Sequence, residues 1–483
     1  MSDYDNLKIL FSSHYSDDYI RVPAFSSNQI NCGPHCKDQH DGSRCVSLQT
    51  PVGQYDIQTI IERLPDKQKP ELLIVKADAT RGNHPYGISK LKIPTVLILG
   101  DTQHMNRPIQ SVLQYAINEK YDFYVNDHKR HHLHFFNESN IETFWFPGLL
   151  VRNWGVPFQL ERPIKLSFVG QAGRFHLYRK AILEELVSDG YPLQSFQGPQ
   201  RDASIIYAKS QITLNISLNG DVNLRIFEVL CAGGFLMTDR TSPQSGLELL
   251  FRDHEHLVLF EDYKDLTAKI QFFLQNSNEA LAIARRGYDE FWAHHNPEIK
   301  RKQLLDLIFK GEFPPFHDVD FDKRSISFPE SNKKDFLERV KQYEYLQFIH
   351  STSVKLKILF CSNSDHQLLS DLTDLPRLDL YLCGSMSPPL VEAELENQIQ
   401  ICDLQNTILE SSNFDILVID LQNLLDQFKS LRLDSMQFKQ ILVSDWHTVT
   451  KEQERSKTEA SLNSVNYTLT EHDGLKIFKP IEI

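Results

Sequence analysis

Short apolar runs rich in β-branched residues alternate with longer segments of helical period along most of the chain. This pattern predicts parallel sheets covered by helices. In the first part the runs are Leu7–Phe11, Leu72–Lys76, Thr95–Leu99, Asp122–Val125 and Thr143–Phe146, with helices predicted at Ile57–Leu64 and Ile109–Asn118. From Ser12 to about Pro51 neither period holds. That segment is polar and turn-rich, and it reads as a long functional or mobile loop.

A second series starts after the proline-containing stretch Phe146–Pro163. It predicts strands at Lys165–Val169, Gln211–Asn215, Gly234–Met237 and His256–Phe260. Helices are predicted at His176–Ser188, Leu224–Ala232, Tyr263–Gln275 and Glu279–Ala293. A linker through Gly311–Pro329 leads to a polar helix, Lys333–His350. The third series has strands at Lys355–Phe360, Leu378–Leu382, Gln398–Cys402, Asp415–Ile419 and Gln440–Val443. Two more are expected around Asp473-Gly474, a strong hairpin dipeptide. The expected fold class is therefore α/β with Rossmann-like units at residues 1–155, 156–312 and 353–483, the linker and helix occupying 313–352.

Composition narrows the function classes. Of 483 residues, 41% are hydrophobic and 24% charged, which excludes a disordered or fibrous chain. No apolar run approaches the length of a membrane span. The opening MSDYDNLKILFSS has no basic region before an apolar core, so no signal peptide and a cytoplasmic location are expected. Seven cysteines in such a chain fit a reducing compartment. Lys plus Arg at 51 against Asp plus Glu at 64 gives a net charge of -13, which argues against broad nucleic-acid binding.

The chemistry concentrates between Lys165 and Arg240. KLSFVGQAGRFHLYRK places Gly170 and Gly173 between a strand and a helix, with Arg174, Arg179 and Lys180 close by. Such a turn admits an anion to backbone N–H groups at a helix start, although a plain glycine turn with surface bases has the same spacing. In NLRIFEVLCAGG, Arg225 and Glu228 share one helix face. A carboxylate there can accept from two vicinal hydroxyls and a guanidinium can neutralise phosphate. An ordinary helix ion pair is the competing reading.

Taken together, FVGQAGRFHLYRK, YAKSQITLNIS, NLRIFEVLCAGGFLMTD, LVLFEDYKDL and AHHNPEIKR resemble the nucleotide-binding half of GT-B glycosyltransferases, of the group-one type found in spore-maturation-like (CgeB-like) proteins. The resemblance spans Lys165–Arg301 and implies two Rossmann-like domains facing a cleft, followed here by a third. It implies a hexosyltransferase-like enzyme that moves a sugar from a nucleotide diphosphate donor, with retention, to an acceptor that is a glycan, lipid or protein. In that frame Glu228 binds the donor ribose, Arg174 or Arg179 contacts the diphosphate, Gly170 lines the turn, and Asn223 and Arg225 flank sugar and phosphates. Related retaining enzymes carry an E-x7-E spacing; Asp221 stands seven before Glu228, one position short, so the first acidic role does not transfer directly to it.

Loss of the nucleotide diphosphate demands positive charge, supplied by a metal or by basic side chains. No Asp-x-Asp motif accompanies the donor segment, so no metal and no further cofactor are expected. On the acceptor side, LILGDTQHM sets Asp101 and His104 at a strand end, where open α/β sheets bind ligands. Asp101 would accept a proton or position a hydroxyl, and His104 would touch the donor sugar; a turn-capping Asp and a surface His are the bland alternative.

Other signals are weaker. CGPHCKDQHDGSRC gathers Cys32, Cys36, Cys45, His35 and His40, which invites zinc, but the spacing matches no familiar finger and an ordered loop with free thiols is preferred. DHKRHHLHFF reads as a partly exposed helix carrying His128, His131, His132 and His134. The third unit resembles methyltransferase-like sheets, but FCSNSDHQLL lacks cofactor-admitting glycines, so a structural or partner-binding role is expected. Two other functions fit the same residues: a non-catalytic nucleotide-sugar-binding scaffold and a GT-B-fold sugar-nucleotide epimerase.

Overall fold

The computed structural model describes residues 4–14, 24–105, 107–173, 176–315, 333–361, 366–383, 399–402, 414–419, 438–443, 467–472 and 475–480, with positions 456, 459 and 462. The chain forms two compact units, residues 1–320 and 321–483. Among the described residues no helix is long and apolar enough to cross a membrane.

The larger unit holds two α/β layers. In the first, the strands are β1 (Lys8–Ser12), β2 (Asn28–Gly33), β3 (Gln39–Asp41), β4 (Arg44–Gln49), β5 (Gly53–Asp56), β6 (Leu72–Ala77), β7 (Asn83–Tyr86), β8 (Thr95–Leu99), β9 (Phe123–Asn126) and β10 (Thr143–Trp145). Helices α1 (Ile57–Glu62), α2 (Pro108–Glu119) and α3 (Leu133–Asn137) lie between them in sequence. Eight strands form one sheet in the order β10-β9-β8-β6-β1-β2-β4-β3, while β5 and β7 pair separately. Only β3–β4 is antiparallel in the large sheet. Its central strands β6 and β8 are buried along their whole length, as parallel strands covered on both faces must be.

The expected long loop from Ser12 to Pro51 is therefore wrong over much of its length, because β2, β3 and β4 extend the sheet there. The reason is an inverted polarity. In β4, Cys45 and Ser47 point inward while Val46 is exposed, so the apolar alternation that marks a strand is missing.

The second layer comprises β11 (Ile164–Val169), β12 (Leu193–Phe196), β13 (Ser210–Asn215), β14 (Leu236–Asp239) and β15 (Val258–Phe260). Its helices are α4 (Leu177–Ser188), α5 (Gln200–Lys209), α6 (Leu224–Cys231), α7 (Leu247–Leu250), α8 (Tyr263–Gln275) and α9 (Ser277–Glu290). The sheet is parallel, in the order β12-β11-β13-β14-β15. A π-helical turn at Phe291–His295 then redirects the chain into α10 (Pro297–Lys310). Leu304, Leu305 and Leu307 of α10 complete the core of the first layer with Ile9, Leu72 and Val96. Tyr4 also donates to Asp306 at 2.9 Å. The last helix before residue 312 thus belongs, by its packing, with the first sheet.

The smaller unit contains α11 (Lys333–Ser351), α12 (His366–Leu372) and the strands β16 (Leu356–Cys361), β17 (Leu378–Cys383), β18 (Ile399–Cys402), β19 (Phe414–Ile419), β20 (Phe438–Val443), β21 (Tyr467–His472) and β22 (Leu475–Pro480). Their order is β18-β17-β16-β19-β20-β22-β21, parallel except where β22 runs against β20 and β21. The antiparallel pair β21–β22 flanks the expected hairpin dipeptide. Residues 362–365, in the turn after β16, lie outside the described residues, as do Asp473 and Gly474.

Candidate active site

Both sheets of the larger unit change direction at their centre. In the second, the chain leaves β11 toward β12 and returns to β13 on the other side, so the crevice opens beyond the carboxyl ends of β11 and β13. Gly170 follows β11 with φ of +141°. A Cβ built there would stand 2.2 Å from Nη2 of Arg225, so only glycine leaves room for that guanidinium. Arg225 in the first turn of α6 donates from Nη1 to Asn215 Oδ1 at 2.8 Å, and its guanidinium lies 4.9 Å from the centre of the Phe168 ring. The glycine of this turn accommodates a cation side chain, which in turn stays partly exposed.

Arg179 lies near the same ring, 5.7 Å from its centre, but has another duty. Its Nε and Nη2 donate to the Ile216 carbonyl at 3.1 and 2.7 Å, and Nη1 donates to the Gln171 carbonyl at 2.8 Å. It is buried and fastens the turn after β11 to the end of β13. Arg174 lies outside the described residues.

Glu228 sits one helical turn beyond Arg225. Its Oε1 accepts from Gln200 Nε2 at 2.9 Å and its Oε2 from the Tyr207 hydroxyl at 3.4 Å, both on α5. Burial pushes the Glu228 carboxyl up, opposed by Arg225, by these two donors and by His128. Helix α5 is absent from the sequence-based reading because its polarity is inverted as in β4: Ile205 is exposed and Ser204 buried. The seven-residue spacing of Gln200 and Tyr207, which sets both on one face, was the available signal.

The loop from β13 to α6 joins the two layers. Asn223 caps α6 in extended conformation without a side-chain bond to the helix, and its Oδ1 is buried without a partner among the described residues. Asp221 is buried; its Oδ1 accepts from Leu218 N at 2.7 Å and its Oδ2 from Gln103 Nε2 at 3.4 Å. Asn219, in left-handed conformation at φ of 54°, donates from Nδ2 to the Gln103 carbonyl at 2.6 Å. Its own carbonyl accepts from Lys129 Nζ at 2.5 Å, and Val222 N donates to the His128 carbonyl at 3.3 Å. Asp221 is thus a brace between loops.

On the first sheet the direction changes between β1 and β6, and His14 and Asp78 follow those strands. His14 Nδ1 is 3.4 Å from Asp78 Oδ2, a pair the sequence reading missed because 63 positions separate its members. Asp101 follows β8 with φ of 39°, and His128 Nε2 is 4.0 Å from its Oδ1. Burial alone would push the Asp101 carboxyl up, but His104, Lys76, His128 and His14 together hold it below the ordinary carboxylate range. His104 reaches across the cleft, its ring centre 6.5 Å from that of His176 at the start of α4. His128 acts electrostatically on both Asp101 and Glu228, so the ends of the two sheets open on one crevice.

Two weaker expectations are resolved differently. The histidine run forms a 3-10 turn, Arg130–His132, leading into α3, and His128, His131 and His132 are buried, not displayed on an exposed helix. His132 Nδ1 is 2.9 Å from Thr102 Oγ1, supporting the loop that carries His104. Among the described residues, Cys32, Cys36, Cys45, His35 and His40 do not gather as a metal ligand set. Burial pushes the Cys32 thiol up to about 12, while Cys45 Sγ faces the Ser47 carbonyl at 3.7 Å. An open pocket of about 680 Å³ lies at the amino ends of β9 and β10, lined by Lys120, Glu142, Leu307 and Phe313 among others. None of the crevice residues above contributes to it.

Residues 172–306 match the Glycosyl transferase-like family. Similar solved structures include sucrose-phosphate synthase from Thermosynechococcus elongatus, 14% identical with a TM-score of 0.43, covering 64% of this chain and 100% of that one. The HepE protein of Anabaena in complex with UDP and glucose is 9% identical with a TM-score of 0.44, covering 63% and 100%. A glycosyltransferase from Rickettsia africae is 10% identical with a TM-score of 0.42, covering 64% and 99%. Among curated proteins none matches significantly. The family match and the parallel α/β layers support a sugar-transfer function.

Proposed function

We propose that the chain is a cytoplasmic hexosyltransferase that uses a nucleotide diphosphate sugar without a metal and retains the anomeric configuration. The observation that carries this reading is the position of Arg225: it fills the space left by Gly170 and stands one turn from Glu228. A cation for phosphate and a carboxylate for a ribose diol are then held on one helix, at the crevice where α/β sheets take ligands.

The ribose hydroxyls donate to Glu228, whose two oxygens are oriented by Gln200 and Tyr207. As the sugar–phosphate bond breaks, its electron pair leaves on the diphosphate, where Arg225 balances the growing charge. The acceptor oxygen bonds to the anomeric carbon and its proton passes to Asp101, whose carboxyl Lys76 and the neighbouring histidines hold below the ordinary range. Arg179, committed to carbonyls, acts by holding the turn rather than by touching phosphate. Retention follows the family resemblance. The acceptor is a glycan, lipid or protein hydroxyl, and the smaller unit serves as a partner-binding module.

The test is a thermal-shift panel of uridine, guanosine, adenosine and thymidine diphosphate sugars on the wild type and Glu228→Ala. One nucleotide class should stabilise the wild type, and its affinity should fall about a hundredfold in the variant, as loss of two charge-assisted hydrogen bonds predicts. Stabilisation that survives the substitution unchanged removes Glu228 from the site. Binding without transfer to any glycan, lipid or protein acceptor favours the scaffold, and binding with interconversion of the sugar alone favours the epimerase.

A further inference from the structure

The diphosphate position raises a question of charge. Arg179 is buried on backbone carbonyls and Arg174 lies outside the described residues, so among the described arginines of this turn Arg225 is left to meet a diphosphate that carries two negative charges. His176 begins α4 after the glycine turn, and its ring centre is 6.5 Å from that of His104 across the crevice. Its ring is partly exposed and makes no hydrogen bond among the described residues. The groups that act on it come from three elements: Arg179 on α4, His104 from the loop after β8, and Arg225 on α6. Every one of these described groups is basic. Burial first, and then repulsion by these groups, drive the His176 imidazole down to about 4, so it is neutral near pH 7 in the free protein.

Arg225 also acts on Glu228 and His104 on Asp101, but the charged groups acting on His176 itself, drawn from facing layers, are basic, and such a set suits an anion that arrives from outside. We propose that His176 is a diphosphate-binding residue that takes up a proton as the nucleotide sugar enters, with His104 closing on it from the opposite layer. The proposal rests on the nucleotide-sugar reading above. The chemistry balances simply: the proton comes from solvent, the imidazole becomes imidazolium, and the phosphate charges stabilise it. The direction of the pH effect follows. Between the free value and the higher bound value, binding consumes protons, so affinity weakens as pH rises through the bound value.

The experiment is isothermal titration of the wild type and His176→Gln with the nucleotide sugar selected by the panel above, in two buffers of different ionisation enthalpy at pH 6.5. A nucleotide sugar is the right probe because both of its phosphates are esterified and carry no proton of their own in this range. Net proton uptake in the wild type, lost in His176→Gln together with about a tenfold loss of affinity, supports the proposal. Binding without proton uptake, or uptake that persists in His176→Gln, overturns it and leaves the nucleotide-sugar site standing. If no nucleotide sugar binds the wild type, the site and the proposal fall together. The wild-type proton count is independent of how well the variant folds, and a thermal melt of the variant separates lost folding from lost binding.

Discussion

The carboxyl ends of the two sheets in the larger unit open on the same crevice yet present opposite chemistries. The first layer brings Asp101 surrounded by His14, His104 and His128, groups suited to moving a proton. The second brings Arg225, His176 and Glu228, groups suited to holding a nucleotide diphosphate. The same contrast recurs within the second layer alone. Arg179 and Arg225 both lie near the Phe168 ring, but one is buried with its donors on carbonyls and the other is partly exposed with Asn215 as partner. Equal charge at one turn has been divided between building the turn and serving what binds to it.

Breaking the proton-moving side should have the largest effect. Asp101→Asn keeps size and removes the acceptor of the proton; turnover should fall by about two to three orders of magnitude with nucleotide-sugar affinity unchanged. Because its neighbours hold the Asp101 carboxyl below the ordinary range, wild-type turnover should stay level on mild acidification. With the nucleotide sugar kept saturating as Glu228 takes up its proton first, turnover should fall where the pH passes through that lowered value and Asp101 takes up a proton. An equal loss of affinity and turnover would move Asp101 from the acceptor side to the donor side.

The two arginines give the next contrast. Arg179→Ala should destabilise the unit by about 3 kcal/mol, since buried carbonyls lose their donors, and a denaturant titration reads it directly. Arg225→Ala should leave stability within about 1 kcal/mol and weaken the nucleotide sugar instead. If the two substitutions exchange these effects, the division of labour drawn from their hydrogen bonds is wrong. The smallest expected effect is none: treatment with EDTA should leave transfer unchanged and added Mg²⁺ should not raise it, as required when side chains supply the charge. Abolition by EDTA with rescue by Mg²⁺ would put a metal where Arg225 and His176 are argued to act.

Much of this arrangement was legible in the chain. Strand Thr95–Leu99 and helix Tyr263–Gln275 fall on their predicted bounds, because their apolar residues follow the period of the element. Gly170, Arg225 and Glu228 were readable as a turn and a helix face, and the structure brings them together. What escaped had two physical causes. In β4 and α5, small polar residues face inward while Val46 and Ile205 face out, so the signal is inverted. Pairs such as His14 with Asp78, or Asp221 with Gln103, are made by strands and loops that meet only after folding. Arg179 carried the right charge in the right turn, and only its hydrogen bonds reveal that it serves the backbone.

Helix α10 has a consequence for how the protein is made. Leu304, Leu305 and Leu307 fill the core beneath β1, β6 and β8, and Asp306 and Arg301 bind Tyr4 and Asp5 at the far end of the sequence. On the ribosome, the first sheet emerges long before the residues that seal it, whereas the second layer has its whole core in hand as soon as α9 appears. The order of synthesis and the order of completion are therefore reversed. The nascent amino-terminal half must wait, with its apolar floor uncovered, until the layer behind it has been translated.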